Sequence, residues 1–347
     1  MPKQNRPVFI IGAGGIVTDA HLPAYKIAGF EVAGIYDMDV EKATSVAGKF
    51  GIPNTFANLE EMLLAAPEKV IFDLAVPGSA IAGILQQLPE WAAVLVQKPM
   101  GDNLAQAHQI LQITRERKQV AAINFQLRYA PFINEARKLI DQGVIGEICG
   151  IDVQVNVFTP WHLWQFLYGL PRVEILYHSI HYIDLVRSFF GNPKGMFAKT
   201  TKHPAMKELA SVRSNIIMDY GDWISANIIT NHCHNFGTKH QDSFIKIEGT
   251  KGAIKMKLGL LMDYPAGVPD VFEYVILEEG KEPEWKNLAV DGRWFPHAFI
   301  GSMAQVMLAA EGSIAQPDNS VEDCIYTMAC VEAAYESSAG GGISLSQ

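Results

Sequence analysis

Three groups of residues have types and spacing suited to chemistry. Gly12-Ala13-Gly14-Gly15 follows the short apolar run Val8–Ile11. Glycines between a strand and a helix let the backbone approach a pyrophosphate, which the helix N-terminus favours electrostatically. Gly12, Gly14, Gly15 and Ile16 are therefore candidate cofactor contacts, although the third position of the usual glycine pattern holds Val17 instead of Gly or Ala. Asp37 ends the next apolar run, close to the ~20-residue offset expected of an acid that accepts hydrogen bonds from an adenosine ribose. A carboxylate there repels a 2′-phosphate, and Asp37-Met38-Asp39 holds no basic residue, so NAD is expected in preference to NADP. The competing role, capping the next helix, can fall to Asp39.

Gln97-Lys98-Pro99 comes directly after the apolar run Ala92–Val96. A lysine at the C-terminal end of a parallel strand stands where such sheets bind ligands. Farther on, Tyr177, His181 and Asp184 are separated by steps of four and three, which puts them on one face of an α-helix. A polar, titratable stripe on an otherwise apolar helix is costly to bury without a purpose. Trp161, His162, Trp164 and Tyr168 crowd the loop before that helix, and flat aromatic faces suit the apolar faces of sugar rings. His232-Cys233-His234 has ligand-type residues. In a strand, however, the two histidines share a face and the cysteine points away, so no metal is expected.

The elements that position these residues change character along the chain. Apolar runs at Val8–Ile11, Glu31–Tyr36, Val70–Val76, Ala92–Val96 and Val120–Ile123 alternate with helical stretches, including one from about Thr18 through Ala28. That alternation predicts a parallel sheet covered on both faces, at residues 1–125. Residues 126–347 read as an α+β domain. It has helices at Pro131–Asp141 and Val173–Phe190, and β-rich stretches at Glu147–Phe158, Met196–Thr201, Ser214–Asn231, Ser243–Glu248, Ala253–Lys257 and Val271–Glu278. Gly249-Thr250-Lys251-Gly252 marks a tight turn, and two helices close the chain near Pro296–Glu311 and Val321–Ser338. Two such domains predict a cleft between them for a ligand.

Composition narrows the partners. The 347 residues carry 28 basic and 37 acidic side chains, a net charge of −9 that argues against nucleic acid as the main partner. With 49% apolar residues and 19% charged, the chain can build a large core. Neither a signal-peptide core nor the ~18 apolar residues of a membrane span is present. Four cysteines are too sparse for a disulfide framework in a chain this long, so the expected location is the cytoplasm.

In order, these motifs resemble the Gfo/Idh/MocA family of oxidoreductases. The glycine turn with Ala20-His21-Leu22-Pro23-Ala24 resembles the family's opening, and Gln97-Lys98-Pro99 its Glu-Lys-Pro motif. Asn124 to Pro131, including Arg128 and Tyr129, is similar to its linker. His181-Tyr182-Ile183-Asp184-Leu185 is similar to its His-x-x-Asp helix, and Ile247 to Gly252 to a later turn. The resemblance implies a Rossmann-type dinucleotide-binding domain, followed by a large open, mostly antiparallel sheet used for substrate contact and for a homo-oligomer, a dimer or tetramer. It implies a nicotinamide enzyme acting on a secondary alcohol or ketone of a sugar, cyclitol or related polyol. By position, Lys98 would hydrogen-bond the reacting oxygen, His181 would shuttle its proton, and Asp184 would bind substrate or orient His181. Arg128, Trp161 and His178 join Asp184 as candidate substrate contacts. Val76 and Pro77 occupy the loop beside the nicotinamide, where Ala75-Val76-Pro77-Gly78 replaces a Thr-Pro-Pro-like segment. Gln97 replaces a common Glu. Tyr177 stands where many members carry a catalytic Asp, and its phenol can donate a hydrogen bond to a substrate oxygen. The fold also leaves open a sugar- or NAD-sensing protein without turnover, and a redox-neutral glycoside-cleaving enzyme that recycles NAD.

Overall fold

The apolar runs of the first third form five parallel strands. They are β1 (Val8–Ile11), β2 (Val32–Tyr36), β3 (Ile71–Leu74), β4 (Ala93–Val96) and β5 (Val120–Ile123), in the order β2-β1-β3-β4-β5. Every residue of β1, β3 and β4 is buried, as continuous apolar runs require when helices cover both faces of a sheet. Asp73 in β3 is the polar exception. The connecting helices are α1 (Leu22–Ala28), α2 (Val40–Phe50), α3 (Leu59–Leu64), α4 (Gly78–Gln87) and α5 (Leu104–Glu116). Three start on side-chain caps: Asp39, Asn58 and Asn103 accept from the N–H groups of Lys42, Glu61 and Gln106. The helix expected from Thr18 to Ala28 differs at its start, where Val17–His21 form a π turn before α1. Val17 is fully buried there.

The computed structural model describes residues 1–264 and 267–345, and they divide into two units. The first unit is discontinuous, Met1–Ala130 together with Phe295–Met328. The second runs from Pro131 to Trp294 and resumes at Ala329.

The second unit begins with α6 (Pro131–Asp141) and β6 (Ile148–Asn156). A π turn at Ile175–Ser179 leads into α7 (Ile180–Phe190). Seven further strands follow: β7 (Gly195–Thr201), β8 (Arg213–Asp219), β9 (Ser225–Asn231), β10 (Asp242–Gly249), β11 (Gly252–Lys257), β12 (Val271–Ile276) and β13 (Lys286–Asn287). They form one sheet in the order β13-β12-β11-β10-β6-β9-β8-β7. It is antiparallel except where β6 meets β9. The stretch Ser214–Asn231 is two strands rather than one, because the chain turns at Gly221 with φ +89°. Gly249 pairs with Gly252 across the tight turn. Ile216, Met218, Ile228, Val153 and Ile245 are buried on one face, whereas Phe197, Ile217 and Ile229 lie exposed on the other. Phe197 stands directly opposite Ile217.

The chain closes with α8 (Ala298–Ala310) and α9 (Val321–Gly340). Phe299, Met303, Val306 and Met307 of α8 share one apolar core with Val8, Ile10, Leu95 and Ala122 of the parallel sheet. Among the described residues no helix is long and apolar enough to cross a membrane.

Candidate active site

The glycine turn has the shape a dinucleotide needs. Gly12 has φ +107°, and a Cβ there would run into the carbonyl of Ala75. Gly14 has open space where its Cβ would be. One glycine thus serves close packing, and the other leaves the backbone approachable. Gly15 is exposed and Ile16 half-buried. Asp37 is fixed from both sides: the Ala13 N–H donates to Oδ2 at 2.7 Å and the Asp39 N–H to Oδ1 at 2.9 Å. Asp39, not Asp37, caps α2. The sequence reading gave Asp37 no basic neighbour, but α2 brings Lys42 Nζ to 3.9 Å from Oδ2. The expected preference for NAD therefore has only the carboxylate to rest on. These residues fit a dinucleotide: the glycine backbone would meet the pyrophosphate, and Asp37 the ribose.

Two more loops leave the same end of the parallel sheet. Val76, half-buried, and Pro77, exposed, follow β3. Lys98 follows β4, half-buried, with a cis peptide to Pro99. The loops pack closely, since a Cβ at Gly78 would press on Asp102 and Gly101. Burial lowers the Lys98 pKa from 10.5 to about 8, because a desolvated ammonium loses stability relative to the neutral amine.

Behind Lys98 runs a buried polar chain that the sequence reading missed. Asn124 Nδ2 donates to Gln97 Oε1 at 2.8 Å and lies 3.3 Å from His21 Nε2. His21 Nδ1–H faces Asp73 Oδ2 at 2.7 Å, and the Tyr25 hydroxyl donates to the same oxygen at 2.7 Å. His21, Tyr25, Asp73 and Asn124 are fully buried. The signal was present in Ile71-Phe72-Asp73-Leu74, where one acid interrupts a run too apolar to tolerate it without partners.

In the second unit the single helix Val173–Phe190 is a π turn followed by α7, so the step from Tyr177 to His181 crosses a change of helical pitch. Four residues make roughly one full turn at either pitch, so the two stay near one face. Tyr177 is half-buried, its ring 5.8 Å from that of Phe166. It packs against the apolar cluster of Trp161, Leu167, Val173 and Leu209. The His181 ring meets Trp294 edge-on at 5.8 Å. Asp184 is buried, with Oδ1 4.0 Å from Arg187 Nη1.

His178 is held between Trp161, at 4.9 Å between ring centres, and His232, at 4.5 Å. Trp161 is 3% exposed, and its Nε1 is buried without a hydrogen-bond partner among the described residues. Such a donor is unusual in a folded chain and suits a ligand acceptor. Trp164 instead pairs with Tyr264 at 5.5 Å. Arg128, in the first unit, donates to the Asp318 carbonyl at 2.7 Å and to Asp323 Oδ2 at 2.6 Å. Its use by a substrate would mean opening this half-buried ion pair.

His232, Cys233 and His234 lie just past a strand rather than within it. β9 ends at Asn231, and all three are buried. His232 approaches Glu174, Cys233 Sγ lies 3.5 Å from Met206 Sδ, and His234 Nε2 lies 2.8 Å from the Lys239 carbonyl.

Comparison with known proteins agrees with this architecture. A family model described as an oxidoreductase family with an NAD-binding Rossmann fold matches residues 6–125. The companion C-terminal alpha/beta domain matches residues 137–345. Glucose-6-phosphate 3-dehydrogenase of Bacillus subtilis is 33% identical over 246 residues, 66% of this chain and 68% of its own length. D-apiose dehydrogenase of Rhizobium rhizogenes is 22% identical over 343 residues, 96% of this chain and 95% of its own. An oxidoreductase from Agrobacterium radiobacter, solved with NAD+, L-tartaric acid and magnesium, shares the fold. Its TM-score is 0.79 at 19% identity, with 98% of each chain covered. With both domain models matched in order along nearly its whole length, the chain belongs to the Gfo/Idh/MocA family of oxidoreductases.

Proposed function

We propose that this chain is an NAD-dependent dehydrogenase that moves a hydride between the nicotinamide and a secondary alcohol or ketone of a sugar, cyclitol or related polyol. The observation that carries the reading is Lys98. It stands at the C-terminal end of β4, on the same sheet edge as the Gly12 turn, with its pKa brought down to about 8 by burial. A lysine so placed is charged at neutral pH yet close enough to its pKa to exchange a proton.

When bound, the nicotinamide supplies the hydride acceptor. The protein's part is orientation and proton transfer. Gly12, Gly14, Gly15 and Ile16 cradle the pyrophosphate, Asp37 takes the ribose, and Val76 and Pro77 flank the nicotinamide end. In alcohol oxidation, Lys98 donates to the reacting oxygen and stabilises the charge that develops there. His181 accepts the hydroxyl proton, and Tyr177 donates to a neighbouring substrate oxygen. Trp161 offers its unpartnered indole N–H to a substrate hydroxyl. Asp184, Arg128 and His178 complete the assigned substrate contacts. Sugar substrates named for the Bacillus and Rhizobium relatives support the substrate class. The NAD+ in the Agrobacterium structure supports the cofactor. Exposed Phe197, Ile217 and Ile229 support a homo-oligomer joined through the open sheet face.

The test is NADH formation, followed at about 340 nm, against a panel of aldoses, inositols and glycosides. Steady NADH production with a sugar or cyclitol is expected. Sugar binding without turnover, or glycoside cleavage without net NADH, would replace this reading with the sensor or the NAD-recycling enzyme.

A further inference from the structure

Glu174 has no part in the chemistry proposed above, yet its carboxylate is fully buried. A carboxylate leaves water only where donors surround it. Hydroxyls from two segments donate to it, and a histidine from a third faces it. Ser179 Oγ donates to Oε1 at 2.8 Å, Ser214 Oγ on β8 donates to Oε2, and His232 Nε2, just past β9, lies 3.4 Å from Oε1. Desolvation alone would push the carboxyl pKa up. The His232 imidazole and the two hydroxyls outweigh it and hold the group below its ordinary value.

The geometry of these contacts is specific. Glu174 and Ser179 are five residues apart, the step that closes a π turn, and Ile175–Ser179 is that turn. Relative to an α-helix, one inserted residue rotates what precedes it by about 100° about the axis. Tyr177 and His178 ride on this turn. His232 serves twice, since it pairs with Glu174 and its ring packs on His178 at 4.5 Å. Thr159 Oγ1 lies 2.8 Å from His232 Nδ1 and holds that ring from its other side.

We propose that Glu174 is a positioning residue: its carboxylate ties the widened turn Ile175–Ser179 to Ser214 and His232, and so sets where Tyr177 and His178 meet the sugar. The proposal rests on the reading that those two side chains contact substrate. It gives Glu174 no contact with substrate or cofactor.

Glu174→Gln keeps the size of the side chain but removes its charge and one acceptor oxygen. Three results are expected in the full-length protein. Amide hydrogen exchange across residues 174–180 rises. KM for the best sugar rises about 10-fold or more, within the ~10²-fold that ångström-scale misplacement can cost, while NADH affinity stays the same. In a His178→Ala background most of that rise disappears, because the two changes act through the same turn. Unchanged exchange across the turn overturns the proposal. So does a KM loss that adds in full to that of His178→Ala, since Glu174 would then act by another route. If Tyr177→Phe and His178→Ala are both silent toward the sugar, the substrate reading falls, and the exchange measurement still decides whether Glu174 holds the turn. Should Glu174→Gln fail to fold, Ser179→Ala deletes one donor to the carboxylate. It should move exchange and KM in the same direction by a smaller factor, and no movement in either overturns the proposal.

Discussion

Lys98 is a hydrogen-bond donor with a limit. Its pKa near 8 means the ammonium persists through neutral pH and is lost as pH rises above that value. If the charged form assists alcohol oxidation, kcat/KM should fall on the alkaline side with an apparent pKa near 8. Gln97→Glu puts a carboxylate on the residue next to Lys98 in sequence; if its charge reaches the ammonium, the charged form is favoured and the alkaline limb should move upward. A pH–rate profile of the two proteins checks both the limb and its direction. Lys98→Ala and His181→Ala should each lose ~10²–10⁴-fold in turnover, with NADH binding by fluorescence retained. At Asp37, whose oxygens are fixed by two backbone N–H groups, replacement by Ala should lower NAD affinity and erode the preference over NADP. Binding isotherms for both cofactors measure this, and equal affinities in the unmodified protein would remove the argument. Tyr177→Phe keeps the ring against Phe166 and deletes only the hydroxyl. A loss of ~0.5–1.5 kcal/mol in kcat/KM, roughly 2- to 12-fold, is expected with little change in Tm. A silent Phe variant would make Tyr177 a packing residue.

Most elements could be read from hydrophobic periodicity, and the reason is physical. The strands of the parallel sheet are buried on both faces, so Ala92–Val96 and Val120–Ile123 read as uninterrupted apolar runs. Caps such as Asn103 mark helix starts because their side chains accept a specific backbone N–H. The two π turns escaped, because an inserted residue leaves no compositional trace; each looks like helix until hydrogen bonds are counted from i to i+5. The polar chain from Asp73 to Gln97 escaped for a different reason. Its members come from the first π turn, α1, β3 and the ends of β4 and β5, and only tertiary structure places them together. The Gly12 turn was legible as a motif, but its contact with Ala75 was not. Gly12→Ala must hold φ near +107° against that carbonyl, so it should destabilise the fold by ~1–3 kcal/mol or more and reduce NADH binding. Asp73→Ala leaves His21 and Tyr25 without their shared acceptor. Leaving buried donors without an acceptor typically costs about 1–3 kcal/mol each, measurable by urea unfolding.

At the scale of the whole molecule, the open sheet face governs association. Phe197 and Ile217 face each other across β7 and β8, and Ile229 lies on the same exposed face. If this face joins copies of the chain, Ile217→Lys should shift sedimentation toward the monomer while leaving NADH binding intact. An unchanged sedimentation profile would place the oligomer contact elsewhere or remove it. The discontinuity of the first unit has a consequence for how the protein is made. A ribosome that has delivered residues 1–130 has released all five parallel strands, but not α8, whose Phe299, Met303, Val306 and Met307 complete their core. The nascent sheet must wait through the synthesis of Pro131–Trp294 with apolar surface around Leu95 and Ala122 uncovered. The sheet that is translated first is therefore completed only by a helix made after Pro131–Trp294.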